Sequence, residues 1–511
     1  MHVRSSVMTA ALTLVLTLGF GGAAWADPGG GARDGWEITS TGSGSELIWN
    51  APDRIPPGDA TVEFYAGDRL LGRPWAAEDQ RSFHLSLDGL AARDLTGLQV
   101  RAAGRRLDVR QDATGPGTRT AAPAAATPLP PNPVDPGTPG PFATISGEYR
   151  LPDVALPGYA QPVEMQGVVV APQGTTGQRP LVLLLHGRHD TCYTSTSSSI
   201  GWPCPTGYQP IPSYRGYLQA QQLLASQGYV TVSISANGVN GQDGVLTPPD
   251  DGGAQARSSL VRLHLGHWAD WAGAGRAGAP DVVRSAPVAD MSRVLLMGHS
   301  RGGEGVNRAA LDSLTPPPAA QDGYHGAVLW QIRGTAHIGP TSLGQDPAAD
   351  VPSMTILPGC DGDISDLQGE MYVDGTRGVS RGFALHSAAY VNGANHNFFN
   401  TEWTPAQAVA RVAAFDDYIG HDPTCTSTSA NRLTYQQQQT AGATYLAAAA
   451  RLFLDGDDGV RPLLDGSGFR APSADPARVL THAVGANRTG LLVPSSSVAV
   501  SGTGARLCQH V

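Results

Sequence analysis

The sequence predicts an α/β fold with a mostly parallel central sheet, preceded by a small N-terminal β-rich module. Three observations carry this expectation. Residues 34–111 alternate short apolar runs with turn residues, as in "GSELIWNAP" and "ATVEFYAGDRLLG", which is the spacing of a small β-sandwich. Residues 112–142 form a Pro/Ala/Thr/Gly tract that cannot bury a core and reads as a semi-rigid linker. From 143 to 455, apolar runs of strand length alternate with helix-like segments, the pattern of a sheet covered by helices.

Within 143–455 the strands are expected at 163–172, 180–187, 228–236, 293–298, 326–332, 353–359 and 384–393. Helices are expected at 214–227, about 253–272, 301–313, 404–419 and 433–454. Residues 470–511 return to strand-like runs and read as a C-terminal β-rich appendage. Residues 1–26 read as a signal peptide: Arg4 charges the start, "MTAALTLVLTLGF" is the apolar centre, and Ala24-Trp25-Ala26 is a small-x-small cleavage site. A secreted, extracellular protein is therefore expected.

The chain of 511 residues carries a net charge of −10, and all its cationic side chains are arginine. That balance argues against a nucleic-acid partner. No later segment is long and apolar enough to cross a bilayer, so no stable membrane association is expected, and the protein is expected to be a monomer. Five cysteines in a secreted chain imply disulfides and one odd thiol. Cys192 and Cys204 lie close in one loop, and Cys360 with Cys425 would hold two later loops in register, which leaves Cys508 over.

One stretch stands out for its chemistry. Gly298-His299-Ser300-Arg301-Gly302 follows an apolar strand and precedes a helical run. Small residues at both ends let the chain turn sharply and hold the serine clear of the sheet. A serine hydroxyl needs a base to take its proton, and that base needs an acid to orient it. His396, in a Gly/Asn-rich turn after the last strand, is the candidate base, ahead of His386, His421 and His482. The stretch "MTILPGCDGDISD" offers Asp361, Asp363 and Asp366; Asp363 is preferred as the acid and Asp361 is the alternative. These aspartates lack the twelve-residue pattern of a calcium loop. An oxyanion would need two N–H donors, expected from Arg301 and, in "LLLHGRHD", from Arg188. His264 and His267 lie three apart on a helix, without the partners of a metal site, and read as packing residues.

Taken in order, "LLLHG", "GHSRGG", "PGCDGD" and "GANHNFFN" resemble the α/β-hydrolase superfamily, over about residues 145–455. More narrowly they resemble its secreted bacterial members related to dienelactone hydrolases, cutinases and polyester-hydrolysing esterases. The resemblance implies an eight-stranded, mostly parallel sheet and a triad of Ser300, Asp363 and His396, with Arg301 and Arg188 at the oxyanion positions. It also implies hydrolysis of a carboxylic ester, small or polymeric, through an acyl-enzyme with no cofactor and no metal. Two departures bear on substrate: Arg188 stands where polyester hydrolases carry an aromatic residue, and the loop 188–213 is long and holds Cys192 and Cys204. Amide hydrolysis uses the same triad, and polymer binding on a non-catalytic scaffold is the alternative from another class.

Overall fold

The computed structural model describes residues 35–485, apart from 42–43, 53–54, 56–57, 61, 78–79, 88–94, 103–104, 110–126, 244–250, 378, 381, 419 and 421. The signal peptide, part of the linker, His421 and Cys508 lie outside the described residues.

A mixed sheet of nine strands forms the centre. Its strands are β1 (Thr144–Val154), β2 (Val163–Pro172), β3 (Arg179–Leu185), β4 (Val230–Ile234), β5 (Ala289–His299), β6 (Ile332–Ile338), β7 (Ser353–Pro358), β8 (Leu385–Val391) and β9 (Val479–Gly485). They lie in the order β9-β8-β7-β6-β5-β3-β4-β2-β1. From β4 through β3 and β5 to β8 the pairing is parallel, whereas β1, β2 and β9 join antiparallel. β3 is a nearly unbroken apolar run, and β4, Val-Thr-Val-Ser-Ile, is buried throughout with Thr231 and Ser233 included, so neither face of these strands meets water.

On one face lies α2 (Ala254–Trp271), packing Leu260, Val261, Leu265 and Trp268 against β2, β3 and β4. The other face carries α1 (Leu218–Ser226) and α4 (Tyr435–Asp455). α4 starts at a capping box between Thr434 and Gln437 and stops at Gly456, whose φ of 69° suits glycine. Its run Ala447-Ala448-Ala449-Ala450 is fully buried, and such small side chains let the helix lie close to the sheet. α3 (Arg301–Leu314) follows β5 directly.

Residues 36–106 form two four-stranded antiparallel sheets packed around Leu47, Trp49, Phe64, Phe83 and Val100. This is the sandwich-like module that the alternating pattern predicts.

The structure departs from expectation in five places, the first being β1 over Thr144–Val154, which is not among the expected strands. The sheet has nine strands instead of the eight implied by the resemblance, because Val479–Gly485 pairs with β8 along its length. The segment expected as a separate appendage thus supplies an edge strand of the main sheet. Residues 130–142 of the expected linker lie against the same body, where Asn132 and Asp135 bond to Gly459 and Ser473. The strand expected at 326–332 lies instead at Ile332–Ile338, with Leu329 exposed and the polar residues Thr335 and His337 buried by parallel pairing. Among the described residues of 404–419 no helix forms; Val409 and Val412 are exposed and Asp417 turns inward.

Both expected disulfides are present, Cys192–Cys204 and Cys360–Cys425. Among the described residues, no helix is long and apolar enough to cross a membrane. The Cys360–Cys425 bridge spans 65 residues and ties the loop after β7 to residues beyond 417. The loop-entropy relation places such a bridge near ~4 kcal/mol, at the top of the usual range. Replacing both cysteines by serine should cost about 2–4 kcal/mol, seen as a lower urea midpoint with a steeper slope, because the chain without the bridge exposes more surface on unfolding.

Candidate functional site

Ser300 occupies the junction of β5 and α3 with φ 59° and ψ −131°, a conformation rarely adopted by non-glycine residues. Its N–H donates to Ile338 O at 2.8 Å, which anchors the turn to the end of β6. Two glycines make the turn possible by close approach. A Cβ on Gly302 would lie 2.6 Å from Leu185 O, and one on Gly187 would lie 2.4 Å from Ser300 Cβ. The chain after β3 therefore runs directly beside Ser300, which brings the Arg188 segment to it. Arg301 opens α3, where helix geometry leaves the first N–H groups without an acceptor inside the helix.

His396 follows β8, and its Nδ1 donates to Asp361 Oδ2 at 2.9 Å. This corrects the preference for Asp363 as the acid. Asp361 lies three residues beyond β7, and its other oxygen accepts the N–H groups of Asp363 and Ile364 at 2.9 and 2.6 Å. That tight turn aims Asp361 at the imidazole and carries Asp363 to the opposite side of the ring. Asp363 Oδ2 stands 3.7 Å from His396 Nε2. Ser300 Oγ and His396 Nε2 are both buried, and neither has a hydrogen-bond partner in this structure.

Two further residues, Asp417 and His299, hold His396 in place, and no sequence motif assigns them that role. Asp417 accepts N–H groups from Gly362, His396 and Asn397 at 2.7, 3.0 and 2.9 Å, stapling the loop after β7 to the loop after β8. Asp417 falls inside the segment 404–419 expected as a helix, and its role as a shared acceptor has no local sequence signal. His299 receives a hydrogen bond from Tyr217 on Nδ1 and donates from Nε2 to His396 O at 3.1 Å. Burial, together with the neighbouring His396 charge, holds His299 well below the usual histidine range, so it is neutral and suited to that donation.

Burial alone would lower the pKa of His396 as well. The charge and hydrogen bond of Asp361 outweigh it, and with Asp363 and Asp417 they push the ring up to about 10. Asp363 moves upward, first through burial, with the neighbouring carboxylates adding to it. His186 directly follows β3 and accepts Ala236 N–H on Nε2 at 2.9 Å; burial lowers it to about 3, and as a neutral ring it fixes the loop carrying Arg188.

The N-terminal module closes the site. The N–H groups of Asp59 and Ala60 both donate to Asp363 Oδ1, and the Asp59 carboxylate pairs with Arg301 at 2.5 Å. Ser300 is 0% exposed and His396 1%. A cleft remains beside this contact, bounded by Ile55, Gly58, Arg188, His189 and Phe415.

Other expected residues stand elsewhere. His386 bonds Ser353 within the sheet, His482 pairs with Glu370, and Asp366 faces Gln368. His264 bonds Tyr149 and His267 stacks on Trp271, as packing residues do. No protein-family model and no curated protein sequence matches this chain.

The two aspartates should separate on titration. Asp361→Asn removes the main upward influence on His396, so its pKa should fall from about 10 towards or below the ordinary 6.5. Asp363→Asn should move it much less. Imidazole NMR titration reads both values, and equal shifts would reverse the assignment of Asp361.

Proposed function

We propose that this protein is a secreted serine hydrolase of the α/β-hydrolase fold that cleaves carboxylic esters. The observation carrying the proposal is the buried Asp361–His396 pair beside a serine on a strained strand-to-helix turn, with chain order Ser300, Asp361, His396. Two disulfides favour an oxidising compartment, in line with the leader read at residues 1–26.

In the proposed reaction Ser300 Oγ attacks the ester carbonyl carbon while its proton passes to His396 Nε2. The carbonyl oxygen takes the negative charge between the N–H groups of Arg301 and Arg188. As the tetrahedral intermediate collapses, the C–O bond to the alcohol breaks and His396 returns the proton to the departing oxygen. Water then attacks the acyl-enzyme with His396 again accepting a proton, and the acid leaves as Ser300 recovers its own. Asp361 keeps the Nδ1–H tautomer and stabilises the imidazolium without becoming protonated. The turn Gly58–Ala60 must withdraw before substrate reaches Ser300.

A fluorophosphonate probe should label the full chain at Ser300 and leave Ser300→Ala unlabelled, with p-nitrophenol released from short acyl esters by the first protein only. Asp361→Asn should lower kcat by about 10³–10⁴-fold through loss of the correct tautomer. Because the base must be neutral and its pKa is raised, kcat/KM should keep rising above pH 7 towards about 10. A folded protein that neither labels nor turns over any ester would remove the hydrolase reading.

A further inference from the structure

Both residues assigned to the oxyanion position carry arginine side chains, and these converge on a cluster that the ester reaction does not require. Arg301 has two edges. Its Nη1 turns inward to Asp243 O at 3.2 Å and Asp243 Oδ2 at 3.3 Å. Its Nε and Nη2, the edge that matches a carboxylate, both meet Asp59 Oδ1, at 2.7 and 2.5 Å. Among the described residues only Asp59 meets that outer edge.

The inner part of the cluster is completed within the main body. Arg257 bonds Asp243 Oδ2 at 2.7 Å and Asn240 Oδ1 at 2.5 Å. The outer part is not. Asp59 belongs to the N-terminal module, its Oδ2 is buried with no hydrogen-bond partner, and Arg188 Nε is likewise unbonded, 3.5 Å from Asp243 Oδ1. Arg301 and Asp59 are each only 5% exposed. Withdrawing Asp59 would leave Arg188, Arg257 and Arg301 against Asp243, with Asp363 the next carboxylate. A desolvated guanidinium edge that loses its anion is destabilised unless another anion replaces it.

We propose that the outer edge of Arg301, with Arg188 beside it, is an anion subsite for the substrate, and that Asp59 occupies it here as an internal surrogate. The substrate class is then an ester whose acyl half bears a carboxylate, a monoester of a short dicarboxylic acid. The acyl half is assigned because the carbonyl oxygen would lie between the N–H groups of the same two arginines whose side chains take the carboxylate. This assignment rests on the hydrolase reading for its chemistry but not for its binding. An acidic ester displaces Asp59 and restores the ion pair at the outer edge, whereas a neutral ester leaves that edge of Arg301 without an anion. The module thus acts as a competing occupant that screens for charge.

The test compares mono-p-nitrophenyl glutarate with p-nitrophenyl valerate, which share a five-carbon acyl chain, on the full-length wild type, Asp59→Asn and Arg301→Gln. Asp59→Asn should prefer the acidic ester by at least about tenfold in kcat/KM, and Arg301→Gln should erase that ratio whatever its overall rate. Free glutarate should raise the Tm of the Ser300→Ala/Asp59→Asn protein and not of Ser300→Ala/Arg301→Gln. Asp59→Ala serves in the same way if the Asn variant misfolds. Equal or better use of the neutral ester by Asp59→Asn, with no glutarate effect on Tm, overturns the anion subsite and leaves the hydrolase standing. Glutarate stabilisation lost with Arg301, in proteins that turn over neither ester, supports the subsite and rejects the hydrolase.

Discussion

A buried carboxylate with three backbone donors holds the candidate site together. Asp417 gathers the N–H groups of Gly362, His396 and Asn397, so that the loops after β7 and β8 share one acceptor. Unbonded and buried, each N–H would cost about 1–3 kcal/mol, and together they leave those loops little freedom to part. Asp361 reaches His396 because its own loop is pinned there. The Cys360–Cys425 bridge closes the same region covalently, and Arg432 secures the neighbouring Asp416 at 3.0 Å.

Around His396 this arrangement concentrates negative charge. Asp361 lies on Nδ1, Asp363 stands beyond Nε2, and Asp417 bonds the backbone. The ring is therefore held as an imidazolium near neutral pH, the form that can no longer accept a proton. The N-terminal module reinforces that state, because its Asp59 and Ala60 N–H groups hold Asp363 where it faces the ring. Closure and charge act in the same direction. On the proposed function, withdrawal of the module would both uncover Ser300 and release Asp363 from its donors.

The local patterns were readable wherever one residue's neighbours in sequence decide its structure. β2 occupies the predicted bounds, α3 starts where the Gly-x-Ser-x-Gly turn requires, and α4 begins at its capping box. Asp361 and Asp363 were harder to separate because they lie two residues apart with the same chemistry; only the turn closed by Asp361 on Ile364 N–H decides which faces Nδ1. Residues 404–419 misled for a similar reason. Their apolar spacing suits a helix, yet Asp417 satisfies backbone groups of other loops, and Val409 N–H goes to Glu402. A tertiary acceptor outweighed a local preference.

The sequence by itself determined the alternation of strands and helices, the serine turn and the late histidine, because spacing and small residues encode them locally, whereas the pairing of four cysteines was settled only when the loops packed. Only the tertiary structure decided that Asp361 is the partner of His396, that Val479–Gly485 closes one edge of the sheet, and that Asp59 meets Arg301 across 242 residues of chain. The reason is physical. Burial makes an ion pair or a shared acceptor worth far more than sequence proximity, and which groups are buried together is fixed only once the sheet and module have packed.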